Sequence, residues 1–184
     1  MPHYKHIIGE KCYLSPPDPG DADKYCRWLM DMDIMKTIEY MYLNEEKEKV
    51  LLSDLMEDNR LFGIVENISD KLIGATGLHQ IDNISRRAMY GIFIGDKSFH
   101  GKGFGYEATN LILDYGFNVL NLNSIWLMCY SYNEKAISLY EKMGFKHSGK
   151  FRKAKYFAGN FHDVICMDML ASEFESVYIN KLID

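Results

Sequence analysis

His100-Gly101-Lys102-Gly103-Phe104-Gly105-Tyr106-Glu107-Ala108 stands where the hydrophobic period of the chain changes. Before it, from Leu61, apolar runs at 62–65, 72–78 and 88–94 are separated by short turns at Ser69-Asp70 and near Asp82-Asn83. That length and punctuation read as three antiparallel strands. After it, Gly105, Ala108, Ile112, Tyr115 and Val119 recur at steps of three and four, one apolar helix face. The stretch is therefore a joint of strand, glycine loop and helix. Glycines let the backbone approach a ligand closely, and amides at a helix start lack intrahelical partners, so an anion such as phosphate fits there. Lys102 adds a mobile positive charge. The spacing Gly101-x-Gly103-x-Gly105 does not meet the Rossmann G-x-G-x-x-G pattern, and an ordinary glycine turn is as good a reading of this segment alone.

Downstream, 124–130 reads as a buried strand, and Asn133 caps a helix that carries Ala136, Ile137 and Tyr140 and stops at Gly144. Phe145 starts another strand, two more lie near 151–157 and 164–170 around Gly159-Asn160, and a last short helix is expected over 172–183. Upstream, 11–15 is a strand ended by Pro16-Pro17, and Asp21 caps a helix with Ala22, Tyr25, Trp28 and Leu29 on one face. A second helical region runs from Asn44 through Glu45-Glu46 to Val50, Leu51, Leu52, Leu55 and Met56. The expected fold class is α+β: one mixed, mostly antiparallel sheet of about seven strands flanked by helices. With 184 residues, prolines confined to Pro2, Pro16, Pro17 and Pro19, and no repeat, residues 1–184 form one expected domain.

Two segments taken together change the weight of either alone. The glycine loop and the run Asn133-Glu-Lys-Ala-Ile-Ser-Leu-Tyr140-Glu-Lys-Met-Gly144-Phe145 resemble the acetyl-CoA site of the GNAT superfamily of N-acetyltransferases, within its RimJ/RimL-like branch. The family's loop begins with Arg or Gln and continues through two spaced glycines; here His100, Gly103 and Gly105 hold those places. The resemblance implies a GNAT-like sheet splayed at the acetyl-CoA site. It implies that main-chain amides of Gly101, Lys102, Gly103, Phe104, Gly105 and Tyr106 hold the coenzyme A pyrophosphate, with His100 beside them, and that Asn133 bonds the pantetheine arm or a helix-end amide. Arg86-Arg-Ala-Met-Tyr-Gly-Ile-Phe-Ile-Gly95 resembles the central strand that pairs with pantetheine. Its contacts are expected at Ile92, Phe93 and Ile94, where a β-bulge would aim an amide at the thioester oxygen. Tyr140 is the expected general acid for the departing thiolate. Where many relatives carry a glutamate, this chain has Met89-Tyr90, so the expected base is His79, or a water chain; Glu39 and Glu66 are further titratable groups. The run 114–122 with 133–137 also resembles spermidine N-acetyltransferases. Acceptor specificity is expected from 31–42 and from the loop near 156–162, whose aromatics Tyr40, Tyr42, Tyr156, Phe157 and Phe161 line a pocket or pack the sheet edge.

The expected activity is transfer of an acetyl group from acetyl-CoA, as co-substrate, to a primary amine: a polyamine, an amino sugar, an aminoglycoside-like compound or a protein N-terminus. A non-catalytic acyl-CoA-binding or sensing module would keep the loop and Asn133 without needing Tyr140, and a doubly wound nucleotide-binding protein is disfavoured by the antiparallel strands before the loop. Lys and Arg number 21 against 26 Asp and Glu, a net charge of −5 without a basic stripe, which argues against nucleic acid as main ligand. Cys12, Cys26, Cys129 and Cys166 are scattered, with no Cys-x-x-Cys and no His at a metal spacing, so free thiols in a reducing cytoplasm are expected. No stretch of about 18 apolar residues suggests a membrane span. An edge strand near the C-terminus could pair with its own copy, and a homodimer is expected.

Overall fold

The computed structural model describes residues 3–39, 44–57 and 61–179; Tyr40, Tyr42, the side chain of Met56 and the end of the expected last helix lie outside the described residues. One eight-stranded sheet organises the chain in the order β1-β2-β3-β4-β5-β6-β8-β7. Its strands are β1 (Ile7–Ile8), β2 (Cys12–Ser15), β3 (Leu61–Glu66), β4 (Leu72–Asp82), β5 (Arg87–Ile94), β6 (Ser124–Tyr130), β7 (Lys146–Phe157) and β8 (Asn160–Leu170). Every neighbouring pair is antiparallel except β5 with β6. Helices α1 (Ala22–Leu29), α2 (Met32–Met35), α3 (Glu45–Glu57), α4 (Phe104–Asn118) and α5 (Glu134–Lys142) complete it.

Both faces of the sheet are covered. On one, α4 and α5 pack a core through Ala108, Leu111, Ile112 and Tyr140 against Ile64, Ile73, Leu78 and Ile125. On the other, Ala22 and Tyr25 of α1 and Leu52 of α3 close over Tyr13, Val65, Leu72 and Ala75. Among the described residues no helix is long and apolar enough to cross a membrane. All four cysteines are unpaired.

Three features differ from the sequence reading. Strand β1 is too short for a period to reveal, and it forms because Ile7 and Ile8 pair with Leu14 and Tyr13. Residues 146–157 are one strand, its alternation masked by register shifts between His147 and Gly149 and between Phe151 and Lys155. The hairpin to β8 turns at Ala158 (φ 51°) and Gly159 (φ 78°), a doubly left-handed turn whose twist suits a two-residue connection. The expected last helix is only a 3-10 turn at Ala171–Glu173. The amides of Val177, Tyr178 and Ile179 donate instead to the buried Asp114 carboxylate at 3.2, 2.8 and 3.0 Å, so they are unavailable for a helix.

Candidate active site

The site begins where two parallel strands stop pairing. Strands β5 and β6 are in register only from Arg87/Ser124 to Met89/Trp126. Beyond that, β5 stays with β4 up to Ile94 and β6 stays with β8 up to Tyr130, so a gap opens between them. Gly95 N donates to Ile73 O at 2.8 Å, which makes that pair hydrogen-bonded. Antiparallel alternation then commits Phe93, Gly91 and Met89 to β4 and turns the amides of Tyr90, Ile92 and Ile94 away from it. Ile92 and Ile94 thus present main-chain groups to the gap. The expected bulge is not in β5, which is regular from Met89 to Ile94; the irregularity lies on β4 between His79 and Asp82, with Gln80 at φ 49°. Departure of β6, rather than a bulge, frees these amides.

A cleft of about 1360 Å³ runs through this gap. It is lined by His79, Phe93, Ile94, His100, Asn133 and Tyr140, and by Gly101, Gly103, Phe104, Gly105 and Tyr106 of the loop. Lys102 is not among its walls: its ammonium lies 5.8 Å from the Phe99 ring centre, and its carbonyl accepts from Lys11 Nζ at 2.9 Å. His100 Nε2 lies 2.8 Å from the Ile94 carbonyl; a carbonyl only accepts, so that nitrogen is the donor, and the ring is aimed at β5 rather than at the loop amides.

The loop turns through left-handed Gly101 (φ 72°) and Gly103 (φ 88°), and Gly103 opens α4. No side chain caps that helix, and Glu107 N is the donor to the Gly103 carbonyl. The amides of Phe104, Gly105 and Tyr106 are therefore left without intrahelical partners, at the positive end of a 15-residue helix. A Cβ at Gly101 or Gly105 would meet nothing within 4 Å, so the approach is open. A pyrophosphate fits this arrangement.

The gap separates two chemical environments. On the α5 side, buried Tyr140 is held edge-on by Tyr90 (centroids 6.1 Å, 89°) and Phe145 (5.7 Å, 64°). Burial, then the nearby Cys129, pushes its pKa up, so the phenol keeps its proton at neutral pH and can donate it. Burial likewise raises Cys129 to about 11, which keeps it a thiol. Asn133 uses its side chain locally, capping α5 by accepting from Ala136 N at 3.4 Å. On the other side, the His79 ring lies 3.6 Å from where a Gly91 Cβ would stand. Tyr130 and Tyr132 reach across the cleft, donating to the carbonyls of Ile38 (3.3 Å) and Lys36 (2.6 Å), and so pin the segment after α2 as a wall. Lys155 Nζ sits 4.6 Å over the Tyr130 ring. Asp33 also lines this end, but hydrogen bonds from Lys97 and Lys36 hold its carboxyl down at about 2, so it is a fixed charge rather than a proton acceptor. Glu39 lines the cleft, whereas Glu66 holds Ser69 N and Oγ in the turn after β3. Tyr156 and Phe161 pair with each other on the exposed hairpin (5.0 Å), and Phe157 stacks on Tyr132 (5.8 Å).

The sequence reading missed the two tyrosine pins, Cys129 and Lys11. The pins join residues 92 and 96 positions apart, for which no local spacing exists.

The profile of the acetyltransferase (GNAT) domain matches residues 11–146. An uncharacterized N-acetyltransferase p20 of Bacillus licheniformis is 28% identical over 91% of this chain and 97% of that protein. Spermidine N(1)-acetyltransferase of Escherichia coli (strain K12) is 32% identical over 80% of this chain and 82% of its own. The crystal structure of spermidine N-acetyltransferase from Vibrio cholerae in complex with CoA and spermine superposes with a TM-score of 0.83 at 30% identity, covering 90% of this chain and 98% of that one. The same enzyme in a dodecameric structure gives 0.76 at 28%, covering 89% and 96%.

Proposed function

The chain belongs to the GNAT acetyltransferase family and is an acetyl-CoA-dependent N-acetyltransferase, and we propose that its acceptor is a polyamine, modified in the cytoplasm by one catalytic domain of the RimJ/RimL-like branch. The reading rests chiefly on one arrangement: the gap between β5 and β6, with unpartnered amides at one end and a proton donor and an aromatic, acid-bearing wall on its two sides. The similarity to spermidine N-acetyltransferases supports a polyamine within the amine class. An exposed 12-residue edge strand, β7, supports self-association, and a homodimer is its simplest form.

Acetyl-CoA supplies a thioester whose carbonyl carbon is open to attack by an amine. The amides of Phe104, Gly105 and Tyr106 bind its pyrophosphate, and main-chain groups of Ile92 and Ile94 bind pantetheine along the gap. On β5, the amides of Ile92 and Ile94 also face the oxygen on which negative charge develops, already oriented and so without reorganisation. An alkylammonium is only about four parts in ten thousand neutral at pH 7, so a base has to remove its proton. His79, on the acceptor side, takes that proton directly or through water. As the carbon–nitrogen bond forms and the carbon–sulfur bond breaks, Tyr140 on the opposite side gives its proton to the departing sulfur, and the second proton shed by the acylated nitrogen passes through water to restore the Tyr140 phenol, so the net proton released is the one His79 took. The products are the N-acetyl amine and free coenzyme A.

Release of coenzyme A thiol across polyamines, amino sugars, aminoglycosides and N-terminal peptides tests the acceptor. Turnover is expected with spermidine or spermine; turnover confined to another class would overturn the polyamine assignment.

A further inference from the structure

We infer that Thr109 and Tyr90 act as a positioning pair that aims the first-turn amides of α4 at the donor's pyrophosphate and sets their distance from the thioester. This rests on the proposed grip of the glycine loop on that pyrophosphate.

Thr109 Oγ1 lies 2.6 Å from the Gly105 carbonyl, which can only accept, so the hydroxyl donates its single proton there. Tyr90 Oη, 2.7 Å from the same Oγ1, must then be the donor in the second bond. A directed chain results, from β5 through Thr109 to the first turn of α4. Both residues are buried, Tyr90 at 3% and Thr109 at 0% exposure, so a broken link between them is not made good by water. Thr76 Oγ1 ties the next β5 residue by donating to the Gly91 carbonyl at 3.1 Å.

The loop needs such a device. Its ligand side is cleared by glycines, and Gly101 and Gly105 have no side chain by which the surroundings could hold them. The ring of Phe104 anchors the loop in the core against Phe99 (5.2 Å), but at the glycines themselves a hold has to come from behind, through carbonyls. Lys11 Nζ supplies one at Lys102, but that contact is exposed; Thr109 supplies the more sheltered one at Gly105, part-buried and backed by the buried bond to Tyr90. A hydroxyl bonded back to the i−4 carbonyl tilts a helix turn, and here it sets the direction of the amides of residues 104–106. Tyr90, at the other end of the chain, is two residues from Ile92, whose amide faces the gap. The chain therefore spans the two points between which a pantetheine arm of fixed length has to fit.

The test compares acetyl-CoA with acetyl-pantetheine, which has the thioester but no pyrophosphate, in the wild type, Thr109→Val, Thr109→Ser and Tyr90→Phe. The wild type should show a much lower KM for acetyl-CoA; equal KM values would overturn the glycine-loop reading, and this inference with it. Given that preference, Thr109→Val should raise KM for acetyl-CoA about tenfold, as expected for one lost buried hydrogen bond. Its kcat/KM for acetyl-pantetheine should stay within about twofold, and Thr109→Ser, which keeps the hydroxyl, should restore the wild-type value. Should Thr109→Val fail to fold, Tyr90→Phe keeps the ring and is expected to show a smaller rise, again confined to acetyl-CoA. A drop in Tm with KM for acetyl-CoA unchanged, or equal losses with both donors, would assign the pair to stability alone.

Discussion

Replacing Tyr140 by Phe removes one hydroxyl and leaves the ring between Tyr90 and Phe145, 6.1 and 5.7 Å away by centroids. The edge-on packing survives, so stability should change by less than about 1 kcal/mol. The chemical loss is larger. Burial raises the pKa of Tyr140, so throughout the neutral range the group is a phenol with a proton to give. A thiol titrates near 8.5, so at pH 7 a thiolate leaving without a donor forms uphill by about 2 kcal/mol. General-acid catalysis is typically worth about 10²- to 10⁴-fold. Tyr140→Phe is therefore expected to lower kcat by about 10²-fold or more with KM for acetyl-CoA almost unchanged, read by thiol release under saturating donor and amine. An acetyl thioester of an acidic aromatic thiol, whose leaving group needs no proton, should be transferred at nearly equal rates by both proteins. Wild-type kcat in Tyr140→Phe, or a defect that appears only in KM, would refute the acid role.

Three further outcomes follow from the same geometry. His79→Gln should lower kcat at pH 7 by about tenfold to a hundredfold with KM for acetyl-CoA almost unchanged, read by thiol release; an unchanged kcat would transfer the base role to water. Lys155→Met removes the chain's own ammonium from the face of Tyr130, where a substrate cation could take its place, and should lower KM for spermidine about threefold without affecting KM for acetyl-CoA, measured by steady-state kinetics. Asp114→Asn should cost about 3 kcal/mol, or roughly 6–12 °C in Tm, because a buried carboxylate holds Ser176 Oγ, Asn118 Nδ2 and three backbone amides. Burial raises the Asp114 pKa, but these hydrogen bonds outweigh it, and the carboxyl lies below its ordinary value. A depressed folded pKa stabilises above the unfolded value of about 3.9, so the wild type should lose this contribution as pH falls below about 4, and Asp114→Asn should not. Thermal melts of both proteins across that range decide it.

Much of the architecture was readable because it is local. Periods of two and 3.6 residues around the glycine loop disclosed β3, β4, β5, α4, β6 and α5, and with them the loop, Asn133 and Tyr140. Irregular pairing hid what the periods could not carry: the bulges that divide β7, the two-residue β1, and the irregularity that fell on β4 rather than β5. Ser172 to Ile179 carries enough polar and apolar residues for a helix, yet its amides bond a carboxylate more than 60 positions away.

By itself, the sequence determined the segments that make chemistry possible: glycines where a backbone has to turn left-handed and stay clear of a ligand, a helix start without a cap, and a tyrosine one turn before a glycine stop. Tertiary structure alone decided how they work together. Only the divergence of β6 from β5 frees the amides of Ile92 and Ile94, and only the two sheet faces set Tyr140 and His79 on opposite sides of the gap. The pins from Tyr130 and Tyr132 and the Tyr90–Thr109–Gly105 chain belong to the same class. Local spacing encodes what one element does with its own backbone; hydrogen bonds between elements depend on packing, because a donor finds its acceptor only after hydrophobic burial has brought distant segments together.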